Sequence, residues 1–428
     1  MADIYSFKGI RYNTQKIDDL ENVVTPPYDK IDSRDRKAFL QKSPYNIIRL
    51  ILGEGEHQKQ EYDRAANYFQ DWLQKKVLTR EQESSIYVYH QDYCVDGVKK
   101  TRKGFVALGK IEEKGKIKAH ENTMDGPKAD RLRLLRATEA NFGHIFMLYS
   151  DKREEVNSLL SKAIGDEAPI ISVHDGNQNG HKLWCVQSDD IIGEAKELMS
   201  DRELYIADGH HRFQTALNFK KECEKKGLQG DFDKRLMTFV NFEDPGLTIL
   251  PTHRLIYGIE NFLKENFLEK LEENFDVVSY ENKQEMYRHL DQAKTEENVF
   301  GFVPQKDSQY FVIRLKNRNI LKNLRDEKSD VWSSLDVAVL HKIILEKYLE
   351  IDDKALQEKR NIEYIRGRKQ TIKKLNEEDY QAAFILNPTP AEKVRQVADK
   401  GEKMPQKSTD FYPKLLTGLV FHKLNIKK

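Results

Sequence analysis

The chain has 428 residues, 39% hydrophobic and 33% charged, which fits a folded protein with a mixed-sign surface and enough length for more than one core. Lys and Arg total 71 against 70 Asp and Glu, a formal net charge of +1, so no overall field draws the protein to nucleic acid or an anionic membrane, and any bound anion must be held locally. Cys94, Cys185 and Cys223 are widely spaced, which excludes a disulfide framework and a CxxC metal site.

The first residues carry no apolar leader, and no run approaches the ~18 apolar residues of a membrane span. A cytoplasmic location with no nucleic-acid or membrane partner is expected; oligomeric state is not legible. Near the start, "TPPYDKI" presents Tyr28 and Asp29 behind two stiffening prolines. "YNIIRL" reads as a short strand with Asn46 and Arg49 on opposite faces, and Arg49 in that apolar setting requires an anionic partner. "EYDRAANYFQDWLQKKVL" has helical spacing, whereas "SSIYVYHQDY" and "RKGFVALGKIEE" alternate like strands.

"AHENTMDGPKADRLRLL" gathers His120, Glu121, Lys128, Asp130 and Arg131 ahead of a helix whose apolar face is Leu132, Leu135 and Phe142. Glu121 is a candidate to accept a hydroxyl proton, His120 lies beside it, and Lys128 and Arg131 are candidates to hold phosphate or carboxylate. A helix follows "LWCVQS" to about Leu198, and then comes "LYIADGHHRFQTA". Here an apolar strand meets Asp208 and Gly209, followed by apolar side chains at helical spacing, Phe213, Ala216, Leu217 and Phe219. Such a strand-turn-helix points unpaired backbone N–H groups and the positive helix end at one spot, and His210, His211 and Arg212 add donors: a phosphate cradle. Asp208 beside an anion reads as a magnesium ligand or a base.

Further on, "RLMTFVNFED" reads as a strand, "ENFLKENFLEKLEENF" as a helix, "ENVFGFVP" and "QYFVIRLK" as a hairpin, and "SLDVAVLHKIILEKYL" as a helix with Asp336 in its first turn. "LPTHRLI" offers Thr252, His253 and Arg254 after a strand, a second cluster of donors. "GEKMPQKSTDFYPKLLTGL" is not a P-loop, because Gln406 stands where glycine is required and Pro405 lacks an N–H, yet Lys407, Ser408, Thr409 and Lys414 collect donors there. Interleaved helices and strands make the fold α/β (α+β mixed). Residues 1–255 are expected to form a catalytic region and 256–428 a second α/β region whose 400–420 loop returns to the site.

"ADGHHR" resembles the phosphate-binding signature of the ParB/sulfiredoxin superfamily and is similar to that of its free-serine kinases. Through "TPPYDKI", "YNIIRL", "AHENT", "KADRLRLL", "LPTHRLI", "LDVAVLH" and "MPQKSTDFYPKLLTGLV" the whole chain resembles a bacterial and archaeal family catalogued as a domain of unknown function. The resemblance implies a ParB/sulfiredoxin-like core elaborated with further mixed sheet and helices, and phosphorylation of free L-serine to O-phosphoserine. Phosphoryl transfer needs positioned cations and a metal. Gly209, His210, His211 and Arg212 are thus expected to hold the phosphate, with His211 and Asp208 catalytic and Asp208 also on Mg2+. Arg49 and Arg131 are candidates for the substrate carboxylate. ATP, ADP and pyrophosphate remain open as donors, with pyrophosphate favoured by several cationic clusters and no evident base pocket. A phosphatase or pyrophosphatase on the same cradle, or a ParB-like nucleotide-binding regulator, are the alternatives.

Overall fold

The computed structural model describes residues 3–53, 58–113, 115–121, 125–325, 328–358 and 360–427. The fold is mixed α/β, and among the described residues no helix is long and apolar enough to cross a membrane. The chain divides into two compact units: Met1–Ala119, Thr123–Thr248 and Pro413–Lys428 form the first, His120–Asn122 and Ile249–Tyr412 the second. The chain therefore crosses over at 248/249, against an expected 255/256, and its last segment rejoins the first unit.

The first unit is built on a nine-stranded sheet. Its strands are β1 (Ile4–Tyr5), β2 (Ile86–Val95), β3 (Val98–Lys110), β4 (Ile117–Ala119), β5 (Ile145–Tyr149), β6 (Ile171–His174), β7 (Gly180–Val186), β8 (Leu204–Asp208) and β9 (Lys234–Asn241). They lie in the order β4-β8-β5-β9-β3-β2-β7-β6, with β1 alongside β3. Pairing is parallel at β4/β8 and β5/β9 and antiparallel elsewhere. The central strands are apolar on both faces: every residue of β5 is buried, as are Leu204 to Ala207 of β8, which is what a strand covered on both sides requires.

Helices α1 (Ile48–Ile51), α2 (Gln58–Gln74), α3 (Asp125–Thr138), α4 (Glu155–Ile164), α5 (Asp189–Ser200) and α6 (His210–Lys225) surround this sheet. α4, α5 and α6 supply Leu159, Leu160, Ala195, Met199, Phe213 and Leu217 to one core with Met147, Ile206 and Phe239. On α2, Ala65, Phe69 and Trp72 are buried at helical spacing, and Phe69 meets Phe142 edge-on at 5.1 Å. Phe142 follows a short strand, Ala140–Asn141, rather than continuing α3, which ends at Thr138.

"YNIIRL" is not a strand. Asn46 is buried and its Oδ1 accepts from Ile48 N at 2.9 Å, opening the short helix α1, while its Nδ2 donates to the Asn22 carbonyl at 2.7 Å. An Asx-type bond of this kind offers the backbone a turn in place of an extended run. Asn46 and Arg49 therefore stand before and on a helix, and Arg49 Nη2 donates to the Leu40 carbonyl at 3.1 Å.

In the second unit a six-stranded sheet runs in the order β11-β13-β12-β15-β10-β14, from β10 (Thr252–Ile256), β11 (Phe275–Tyr280), β12 (Val299–Pro304), β13 (Tyr310–Leu315), β14 (Ile362–Arg366) and β15 (Ala382–Ile385). β12 and β13 form the expected antiparallel pair, Phe300 opposite Ile313. The helix over Asp336–Val339 continues with π-type winding through Leu340–Tyr348, and Asp336 accepts from Asn298 Nδ2 at 2.7 Å.

Asn46→Ala should lower stability by about 2–3 kcal/mol, because it strands the Ile48 N–H and the Asn22 carbonyl in the interior. A denaturant midpoint within error of the parent would remove Asn46 as the organiser of this turn.

Candidate functional site

β8 ends at Asp208 and α6 begins at His210, so the reversal rests on Gly209, whose φ of +98° is a conformation L side chains rarely adopt. Space gives a second reason for glycine. A Cβ there would lie 3.0 Å from Arg212 Nε and 3.2 Å from its Cζ. Glycine brings no side-chain cap to α6, so the positive end of that helix faces the turn without a competing side-chain oxygen at the cap. Register between β8 and β5 shifts between Ile206 and Asp208, a bulge of the sort that re-aims a side chain.

Arg212 does not extend into solvent. Its side chain is 8% exposed, Nη1 donates to the His144 carbonyl, and Nη2 lies 3.5 Å from Asp208 Oδ1. Gly143 is fitted to the same guanidinium, since a Cβ there would be 3.3 Å from Nη1. Asp208 has a second cation: Lys414 Nζ is 2.9 Å from Oδ2. Burial alone would raise the Asp208 pKa, but Lys414 and then Arg212 outweigh it and hold the carboxyl far below the usual range. His144 Nε2 donates to the Val420 carbonyl at 3.1 Å and Nδ1 accepts from the Thr238 hydroxyl at 2.8 Å. Burial, aided by Arg212 and Arg235, pulls its pKa down to about 4.

Lys414 arrives through bonds made by two strand side chains. Arg102, buried on β3, donates to the Pro413 carbonyl and to Gln91 Oε1, and Gln91 Nε2 donates to the Lys414 carbonyl at 3.0 Å. The Arg102 guanidinium also lies 4.6 Å from the centre of the Phe146 ring.

A cavity of about 40 Å3, room for a few waters, adjoins this network; Tyr28, Arg131, Phe142, Arg212 and Arg235 are among its lining residues. Arg131 is fixed by Asp130 Oδ2 at 2.7 Å and the Ile51 carbonyl at 2.6 Å, with its guanidinium 4.3 Å from the Tyr28 ring centre. Burial raises the Tyr28 pKa against the pull of Arg212 and Arg131. Burial lowers that of His211, which feels Asp29 and Lys128 as well as Arg212 and Asp208.

The expected site residues thus fall into two sets. Tyr28, Asp29, Asn46, Arg49, Lys128, Arg131, Asp208, Gly209, His210, His211, Arg212 and Lys414 belong to the first unit; His120, Glu121, Thr252, His253, Arg254, Lys407, Ser408 and Thr409 belong to the second. Of the "AHENT" block, Asn122 and Thr123 lie outside the described residues. Within the second unit His120 Nε2 is 3.2 Å from Thr409 Oγ1, and Arg254 Nη2 donates to the Lys407 carbonyl at 3.2 Å. Thr252, His253 and Arg254 follow a short strand, Thr248–Ile249, as expected, and themselves open β10, with His253 and Arg254 fully buried. His253 Nδ1 accepts from Leu386 N, and Arg254 Nη2 is 3.2 Å from His341 Nε2. Sequence reasoning missed Arg102, His144 and Arg235. Each is a polar residue embedded in or beside an apolar strand, the one available signal of a buried role.

The chain belongs to the family described as "Protein of unknown function (DUF1015)", whose model matches residues 4–338. No curated protein matches it. Among solved structures it is similar to a free serine kinase in complex with AMP, at 13% identity over 69% of this chain and 83% of that one with a TM-score of 0.35. It is also similar to a conserved hypothetical protein from Pyrococcus furiosus, at 14% identity, 73% and 92% coverage and a TM-score of 0.33. SbnI with a C-terminal truncation from Staphylococcus aureus gives 12% identity, 74% and 86% coverage and a TM-score of 0.34. Likeness at this level assigns no activity.

Gly209→Ala should cost about 1–3 kcal/mol from backbone strain alone and displace Arg212. Unchanged stability would mean that the turn relaxes freely. A second expectation concerns pH. The folded His144 pKa of about 4 lies below the 6.5 of the unfolded chain, so the unfolded state takes up a proton first as pH falls. This stabilising contribution is complete above about pH 6.5 and lost progressively towards pH 4, by about 2 kcal/mol between pH 7 and 5. His144→Asn should flatten the pH dependence of unfolding by that amount, and an equally steep variant would refute it.

Proposed function

We propose that the protein is a phosphotransferase that moves a phosphoryl group from pyrophosphate or a nucleotide (ADP or ATP) to the hydroxyl of L-serine, giving O-phosphoserine. The observation that carries this reading is a carboxylate kept ionised by Lys414 and Arg212 at the uncapped start of α6, beside a cavity lined by guanidinium groups. Preorganised cations and helix dipoles of this kind lower the barrier to phosphoryl transfer by meeting charge on the phosphate oxygens. The resemblance of "ADGHHR" to free-serine kinases supplies serine as the acceptor to test. The guanidinium groups that line the cavity suit a phosphate end, and pyrophosphate is kept as the favoured donor.

In this reading the serine Oγ forms a bond to phosphorus as the bond to the leaving phosphate oxygen breaks, and the hydroxyl proton passes to solvent or a base. Asp208, too acidic to retain a proton, orients the hydroxyl through a hydrogen bond. His210, His211 and Arg212 hold the phosphate with the first turn of α6, and Arg131 is the candidate for the serine carboxylate.

Among the described residues no group of three or more His, Cys, Asp or Glu is arranged to hold a metal ion. Magnesium often takes a single protein carboxylate, with waters and substrate phosphates completing its shell. Asp208 would be that carboxylate, and the ion would neutralise charge on the phosphates.

Incubation with L-serine, magnesium and each donor in turn should yield O-phosphoserine by phosphorus NMR, with D-lactate and glycerol poor acceptors for want of serine's ammonium or carboxylate. Asp208→Asn should slow turnover by about 100-fold, the low end for losing a preorganised charged group at the reacting atoms. Phosphate release that proceeds equally well without an amino acid would replace the kinase by a hydrolase.

A further inference from the structure

Arg235, at the start of β9, is 7% exposed, and its Nε has no hydrogen-bond partner; among the described residues no carboxylate pairs with it. A buried cation without an anion is unfavourable unless something supplies one. Its charged neighbour makes matters worse, because Arg212 is also positive, and burial together with Arg212 lowers the Arg235 pKa to about 9, still charged at neutral pH. Both side chains line the same cavity, and Arg212 Nε is likewise buried without a partner. Two guanidinium N–H donors on different elements, one on β9 and one on α6, are thus left unsatisfied around one small space.

The local charge balance indicates what would fill it. Arg131 is paired with Asp130 and Arg212 with Asp208, whereas among the described residues no carboxylate pairs with Arg235, so a positive charge stands at this wall of the cavity. We propose that Arg235, with Arg212, forms a subsite for a tetrahedral oxyanion, a phosphate group. Planar guanidinium forks match such oxygens in paired hydrogen bonds, and Tyr28 adds a hydroxyl to the wall. That this phosphate is the non-transferred end of the donor rests on the phosphotransferase reading; the subsite itself does not.

The test is binding of inorganic phosphate to the full chain by calorimetry, together with its effect on Tm at fixed ionic strength. Phosphate should raise the Tm of the parent protein, as any ligand of the folded state does. Arg235→Met should bind phosphate about 10- to 100-fold more weakly, while its Tm without phosphate equals or exceeds that of the parent, because an unpaired buried charge has gone. Should the Met variant fail to fold, Arg235→Gln is measured in the same way with the same expected loss. A parent protein that phosphate does not stabilise, a variant that binds as tightly, or a shift reproduced by chloride at equal ionic strength each overturns the subsite. Phosphate binding that depends on Arg235 in a protein that never phosphorylates serine would sink the kinase and leave the subsite standing.

Discussion

A guanidinium inside a protein must find acceptors, and around Arg212 that requirement shapes the neighbouring chain. The side chain reaches the His144 carbonyl and the Asp208 carboxylate only because two glycines, Gly143 and Gly209, leave the space a Cβ would take. Arg235 lines the same cavity as Arg212 and, among the described residues, pairs with no carboxylate, so positive charge remains there. The same residues therefore hold β5, β8 and α6 in register and leave the site attractive to anions. Structural and binding roles coincide because buried charge is costly unless paired.

Lys414 shows how far along the chain that requirement extends. It is 206 residues from Asp208, and its ammonium arrives only because Arg102 and Gln91 take the carbonyls of Pro413 and Lys414. Leu416 N donates to the Tyr89 hydroxyl, and Thr25 and Phe421 add backbone bonds, so the final segment is integrated into the first unit. Closing so long a loop costs little more than closing a short one, since the penalty grows only logarithmically. A handful of buried hydrogen bonds suffices to offset it.

How much of this was legible follows from which forces act locally. The β8-turn-α6 element could be read from sequence because its signals are short-range: an apolar run, Asp-Gly, then helical periodicity. The β12/β13 pair was legible for the same reason. "YNIIRL" misled because its apolar run fits a strand equally well, and the deciding bond, Ile48 N to Asn46 Oδ1, is a side-chain choice that periodicity does not register. Thr252, His253 and Arg254 follow a strand as read, but they also open β10, where His253 bonds Leu386 and Arg254 meets His341 in the interior. Arg235 offered only a weak local signal, a cation at the head of an apolar strand, because a cation opening a strand normally reaches water.

The pairing of an ionised Asp208 with an under-neutralised arginine group also bears on how such a site discriminates among ligands. A neutral ligand would leave the Arg235 charge without an anion at a position only 7% exposed. An oxyanion supplies the missing charge and accepts from the Nε donors of Arg212 and Arg235 together. Selectivity then comes from the penalty on poorly charged ligands as much as from attraction to the right one. Because Arg212 is fixed by His144 and Asp208 before any ligand arrives, it needs little further ordering on binding, and preorganisation of this kind favours affinity.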